Sequence, residues 1–358
     1  MGSVKKVAFT TIQIGVTVGL LWLVFRDPAR RAEMAHALIN AKMEWLVAGL
    51  VVYGALELLA GIRWQLLLRV QGIDLSWVRV FTLMMIGIFF NFFVPGGTGG
   101  DVVKVFYLLK ETPGKGAQAF LSVLVDRIIG LLSLVLIAGV VVSLRWSWLM
   151  GSPETAKYVW SVVAILGAAV AGFVISLVVS GLGLVHKLPA HLPGRDKLAE
   201  LALAYNLYGR AWKTTVGSIL LSIVSHVGYF ATFYCAARAF GGPGITLPTF
   251  ADLCAVMPIV NTITAMPISI GGVGVREGLF HIFLSNLAGV SEGIAVIISS
   301  TGYLLTLAWG LVGGVIYLLY RPTDHAKLRD MSAEVAAFEH EVAESEVAME
   351  TAQKSEGL

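Results

Sequence analysis

Apolar residues in this chain run in long unbroken blocks. They do not alternate with polar ones, and they do not recur at every third or fourth position. Blocks at residues 7–25, 45–68, 117–144, 158–182, 214–240 and 295–320 are each long enough to cross about 30 Å of hydrocarbon at roughly 1.5 Å per residue. The first follows Lys5 and Lys6 and has the look of a secretory leader, with Ala35-His36-Ala37 as a cleavage-like tripeptide. Arg26, Asp27, Arg30, Arg31 and Glu33 crowd the intervening segment, which makes a poor cleavage region, so the block is read as an uncleaved first transmembrane helix. Trp45, Trp146, Trp148, Trp160 and Trp212 stand at or near block ends, where amphipathic rings favour the membrane interface.

Two further apolar stretches are broken. Residues 78–109 are interrupted by Pro95-Gly96-Gly97-Thr98-Gly99-Gly100-Asp101, and residues 247–287 by Pro267-Ile268-Ser269-Ile270-Gly271-Gly272-Val273-Gly274-Val275-Arg276-Glu277. Glycine weakens a helix interior and proline removes a backbone donor, so the helix is predicted to break at both places. Irregular backbone at membrane depth survives only when buried in protein or lining a wet cavity. The two breaks share an order: proline, paired glycine, one residue, glycine, then charge. Gly/Pro-interrupted segments in corresponding halves of a membrane protein point to a transporter's binding site.

Composition agrees with this pattern. The chain is 57% hydrophobic and 14% charged, with a mean hydropathy of +0.80, whereas soluble domains run near 45–50% and about 25%. That balance excludes a soluble enzyme, a nucleic-acid binder and a disordered chain. The unbroken runs argue against a transmembrane β-barrel. The predicted fold is an all-α polytopic membrane protein with about six spanning helices and two inverted re-entrant hairpins, near residues 91–104 and 266–277. Lys and Arg concentrate on the side that holds both termini when the two breaks are treated as re-entrant, which places both termini in the cytoplasm of a cell membrane. The net charge of +3 divides unevenly: beyond residue 320 nine acids face four bases, so the tail carries −5 and the body +8. A basic body suits anionic lipid headgroups. Residues 1–320 are therefore read as the transmembrane domain and 321–358 as an acidic cytoplasmic tail. Residues 194–210, with leucines along one side and bases around them, are read as an amphipathic surface helix. Cys235 and Cys254 lie in apolar runs and read as small core residues.

Ionisable residues inside apolar segments are candidates for function. Here they are Glu57, Arg63, Asp101, Lys104, Asp126, Arg127, Arg276 and Glu277. A helix restarting after Gly100 or after Gly274 offers free N–H groups and a positive dipole end to an anion. Lys104 and Arg276 beside those starts complete a phosphate-sized pocket, and arginine grips phosphate through two parallel hydrogen bonds. Asp101 is expected to pair with Lys104, or Glu277 with Arg127, shaping the pocket; the alternatives are contact with a cationic group or proton carriage. Arg63, next to Trp64, is expected to snorkel to the interface. His226 reads as a hydrogen-bonded core histidine. No nucleotide, zinc-ligand or nucleophile-elbow motif stands in its required context, so no cofactor, metal or catalytic residue is assigned.

Phe93-Val94-Pro95-Gly96-Gly97-Thr98-Gly99-Gly100-Asp101, Leu124-Val125-Asp126-Arg127 and the segment from Met266 to Glu277 together resemble the lysylphosphatidylglycerol synthase transmembrane-region family, flippase-like membrane proteins of bacteria and archaea. Arg63-Trp64 also looks like that family's pattern. The resemblance implies movement of a phospholipid such as phosphatidylglycerol, or its aminoacyl derivative, between leaflets. The expected partners are anionic or aminoacylated membrane lipids and no nucleic acid. A second copy of the chain and a separate synthase or glycosyltransferase are further candidate partners. Only a short acidic tail follows Tyr320, so the expectation is a stand-alone member without aminoacyl-transferase activity. Relatives linked to polyprenyl-phosphate sugars supply the alternative, a membrane enzyme or accessory factor for such lipids. The substrate-binding set is then Pro95, Gly96, Gly97, Gly99, Gly100, Asp101, Lys104, Asp126, Arg127, Pro267, Gly271, Gly272, Gly274, Arg276 and Glu277.

Overall fold

The computed structural model describes residues 2–93, 99–181, 207–266 and 268–320. Pro95, Gly96, Gly97 and Pro267, residues 194–206 of the expected surface helix, and the acidic tail lie outside these. The described residues are helical, with no strand among them. In order they form α1 (Gly2–Phe25), α2 (Pro28–Ile39), α3 (Met43–Val70), α4 (Trp77–Phe93), α5 (Gly99–Glu111), α6 (Gly116–Leu144), the short α7 (Trp146–Leu149), α8 (Pro153–Gly181), α9 (Trp212–Ala239), α10 (Phe250–Thr264), a 3-10 turn (Ile270–Gly272), α11 (Val275–Ala288) and α12 (Glu292–Leu319).

Five helices are long and apolar enough to cross a membrane: Met43–Val70, Gln118–Leu144, Pro153–Ile175, Trp212–Ala239 and Glu292–Leu319. The sixth expected span, residues 7–25, falls within α1, whose stretch Gln13–Leu23 counts among the shorter apolar helices. Along α9, Val216, Leu220, Val224 and Val227 are exposed, and along α12 so are Leu304, Leu311, Val315 and Leu318. Such stripes would be a liability in water and are the ordinary surface of a helix in lipid.

The polar interludes between helices carry standard stop and start chemistry. Asp27 caps α2 by accepting from the Ala29 N–H at 2.9 Å, with Pro28 in the first turn. Thr249 and Asp252 form a reciprocal capping box on α10, which satisfies two backbone donors that the helix itself leaves open. Glu33 on α2 accepts from Ser291 Oγ and from the Gly293 N–H at the start of α12.

Long helix, broken pair and long helix occur twice. Matching α3, α4, α5 and α6 in order with α9, α10, α11 and α12 makes the neighbour relations correspond. Packing of α4 on α12 matches α10 on α6, α5 on α6 matches α11 on α12, and α3 on α12 matches α9 on α6. The central crossing, α3 against α9, maps onto itself. Two buried cores follow the two pairs. One gathers Trp64, Leu68, Val80, Met85 and Leu108 around α4 and α5, and the other gathers Phe233, Met257, Phe280, Phe283 and Ile297 around α10 and α11.

The first broken pair depends on a missing side chain. A Cβ on Gly100 would overlap the carbonyl oxygen of Gly87 and lie 2.6 Å from Asn91 Cγ. Backbone cannot retreat there without separating α4 from α5. Gly100→Ala is therefore expected to destabilise the protein by about 1–3 kcal/mol, the range for overpacking, read as a lowered Tm in detergent. An unchanged Tm would mean that the two helices part at no cost.

Candidate functional site

At the first break, α4 and α5 run close enough for Asn91 Oδ1 to accept from the Gly100 N–H at 3.0 Å. One donor at this helix start is thus taken by the protein's own side chain. Asp101, in the first turn of α5, receives Arg127 of α6 in a fork, Nε to Oδ2 at 2.5 Å and Nη2 to Oδ1 at 2.9 Å. Lys104, one turn on, points inward: its stem lies in the notch left by Gly87 and its Nζ sits 4.2 Å from the Trp64 ring centre. Asp126 lies between two bases, with Arg63 Nε 2.9 Å away and Lys104 Nζ 3.8 Å away.

These pairings correct three expectations. Asp101 engages Arg127, because Lys104 is drawn past it toward Trp64 and α6. Glu277 does not meet Arg127, which belongs to the other half. Arg63 does not snorkel. It is largely buried, paired with Asp126, and donates from Nη1 to Ser222 Oγ at 2.9 Å, a better outcome for a charge that α3 carries into the protein interior. His226 is hydrogen-bonded as expected, its Nε2 lying 3.1 Å from the Gly130 carbonyl oxygen.

The second break is a tight turn in which Gly271, Gly272 and Gly274 all take positive φ, at 61°, 73° and 85°. Only glycine adopts this region without strain. The Ile270 N–H is met by Thr17 Oγ1 of α1 at 3.0 Å. Glu277 turns back onto the start of α11, where one carboxylate oxygen accepts from the Gly274 N–H at 2.6 Å and the other from Ser299 Oγ at 3.3 Å.

Arg276 is 6% exposed. Its Nη2 donates to the Gly271 carbonyl at 3.0 Å, and its guanidinium lies 4.4 Å from the centre of the Tyr303 ring. Its Nε and Nη1 find no hydrogen-bond partner among the described residues. A buried charged donor without a partner is costly, and structures rarely leave one in that state without a reason.

Tyr303 joins the two breaks. Arg276 lies against its ring, and Phe92 at the end of α4 packs edge-on at 5.6 Å between centroids. Sequence reading missed Tyr303, Asn91, Thr17 and Ser299. Each is an unremarkable residue type within an apolar run, and only the packing of α12 and α1 onto the breaks gives it a role. The structure therefore brings Asp101, Lys104, Asp126 and Arg127 into one ion-paired cluster and gathers Gly271, Gly272, Gly274, Arg276 and Glu277 at a separate, hydrogen-bonded turn.

Comparison with known proteins gives a consistent picture. The family model for the lysylphosphatidylglycerol synthase TM region matches residues 10–314. A UPF0104 membrane protein of Methanothermobacter thermautotrophicus is 23% identical over 290 residues, covering 75% of this chain and 80% of the relative. A UPF0104 membrane protein of Pyrococcus horikoshii is 30% identical over 129 residues, a match to 36% of this chain and only 38% of that relative. Glycosyltransferase AglD of Haloferax volcanii is 24% identical over an alignment of 379 residues that takes in 94% of this chain and 59% of the relative.

Proposed function

The chain belongs to the lysylphosphatidylglycerol synthase TM region family, and from that premise we propose that it translocates a phospholipid, such as phosphatidylglycerol or its aminoacyl derivative, between membrane leaflets. The observation that carries this reading is the buried guanidinium of Arg276, with two donor nitrogens unpartnered among the described residues at a glycine-built break. Nη2 keeps a second N–H, which runs parallel to one on Nε or Nη1, and a phosphate diester can accept from that pair as a fork. Lys104 and Arg127 at the first break add positive charge for the headgroup, while the acyl chains stay in lipid. Asp101 and Asp126 hold the bases of the first break in place, and Glu277 caps the start of α11 beside Arg276.

Helix lengths support a re-entrant arrangement. The members of the broken pairs hold 17, 13, 15 and 14 residues, fewer than the roughly 20 a crossing needs. The matching neighbour relations of the two halves support an inverted repeat with both termini in the cytoplasm. In that arrangement the breaks approach from opposite sides and share the ring of Tyr303. A cell membrane location follows from the proposed substrate.

The match to a glycosyltransferase over nearly the whole chain favours a second reading, action on polyprenyl-phosphate sugar lipids. Both lipid classes carry phosphate, and one experiment separates them. Purified protein in proteoliposomes is tested for leaflet exchange of labelled phosphatidylglycerol, its lysyl derivative and a polyprenyl-phosphate sugar. Exchange of the glycerophospholipids, well above that of empty vesicles, is expected. Exchange confined to the sugar lipid would replace the first reading with the second, and exchange of none would remove translocation altogether.

A further inference from the structure

Glu57 takes no part in the pairings above. It is the fifteenth of the 28 residues of α3, near the middle of a spanning helix, and 7% exposed. Tyr53 stands one turn earlier on the same helix. Arg63 on the same helix and Lys104 on α5 act on it through space, but their contact partner is Asp126. Glu57 is thus a buried acid near the middle of a spanning helix, two turns from Arg63 and paired with neither base. Such a group is a functional candidate.

The charges around it show what it can do. At the first break Arg63, Lys104 and Arg127 outnumber Asp101 and Asp126 by one. An ionised Glu57 balances that surplus, and so does a bound phosphate. Both together leave an excess negative charge in a desolvated site, which is expensive. Among the described residues, the other titratable groups facing this region are His226 and Tyr229 on α9, Tyr303 on α12, and Tyr208, whose hydroxyl donates to the Leu67 carbonyl. His226 is bonded to the Gly130 carbonyl, the Tyr229 ring lies 6.2 Å from that of Tyr53, and Tyr303 interacts with Tyr53 through space. None of them supplies a second acid.

From this juxtaposition we infer that Glu57 is a proton-binding site whose occupancy is linked to that of the lipid phosphate, so that an anionic headgroup and a proton enter the site together. The inference rests on the translocation reading. The only bond that changes is one O–H: a proton from bulk water adds to a Glu57 carboxylate oxygen as the phosphate arrives and returns to water as the phosphate leaves. The pair moves without net charge, whereas moving an unaccompanied anion couples to the membrane potential by about 2.3 kcal/mol for each 100 mV. The ring of Tyr53 neighbours that of Tyr229, and Tyr303 lies against Arg276, so aromatic rings line the way from Glu57 toward the guanidinium.

The test measures proton uptake as the full chain, in weakly buffered detergent with a pH-indicator dye, is titrated with short-chain phosphatidylglycerol. About one proton per bound lipid is expected. Affinity should rise as pH falls, by at most tenfold per unit, as for any site linked to one proton. Glu57→Gln should bind the lipid at least as tightly as wild type, with no uptake and no pH dependence. Tyr53→Phe, which keeps the acid, should keep the uptake, and it serves as the second variant if Glu57→Gln fails to fold. Lipid binding without proton uptake in the wild type, or uptake unchanged in Glu57→Gln, would overturn the proton site and leave translocation standing. Uptake lost in Tyr53→Phe, with lipid still bound, would also overturn it, because the proton would then follow the phenol. Absence of both lipid binding and leaflet exchange would overturn the translocation reading and the proton site with it.

Discussion

Arg276→Gln is expected to lower leaflet exchange of phosphatidylglycerol at least a hundredfold while the protein remains folded. The guanidinium presents Nε and Nη1 with no hydrogen-bond partner among the described residues, one of them beside the second N–H of Nη2, and its Nη2 and ring face are anchored on Gly271 and Tyr303. Two charge-assisted hydrogen bonds to a phosphate, at about 1.5–3 kcal/mol each, amount to a hundredfold or more. Glutamine keeps some donor capacity but neither the charge nor the fork. Arg276→Lys keeps the charge as a compact ammonium that cannot donate in parallel, so it should recover only part of the rate. Exchange rates in proteoliposomes, with size-exclusion profile and Tm as the check on folding, decide the matter. A glutamine variant with wild-type exchange would remove Arg276 from the site.

Asp126→Ala is expected to cost stability on a similar scale. Asp126 is 7% exposed and stands between Arg63 and Lys104. Its removal leaves two buried bases without their shared acid, and breaking a buried pair from one side typically costs about 3–5 kcal/mol. The surrounding charges make the loss specific. Adding Lys104→Met to Asp126→Ala should restore part of the stability, since one orphaned charge goes with it. A double-mutant cycle on Tm or denaturant unfolding in detergent reads that coupling. If Asp126→Ala unfolds within about 1 kcal/mol of wild type, the ion pairs are not what fixes α5 against α3 and α6.

The sequence reading and the structure agree where the cause is local. A run of some 20 apolar residues has few other uses, so α3, α6, α8, α9 and α12 could be read directly. Glycine and proline in such runs break helices for reasons contained in the residues themselves, so the second turn could be placed before its φ angles were known. The pairings of charged side chains were not legible. Arg63 and Asp126 lie far apart in sequence and meet because α3 packs on α6, and Lys104 leaves Asp101 because Gly87 opens a notch on a different helix. Asn91 and Tyr303 carry no signal of their own. Their roles come from backbone donors and rings placed opposite them by tertiary packing, which the period of hydrophobicity does not encode.

Tyr303 has one ring, with Arg276 against it and the edge of Phe92 packed on it. Any displacement of one broken pair relative to the other must either carry that ring along or strip one neighbour from it. If the chain moves lipid as proposed, the two breaks therefore cannot carry separate lipids on independent schedules.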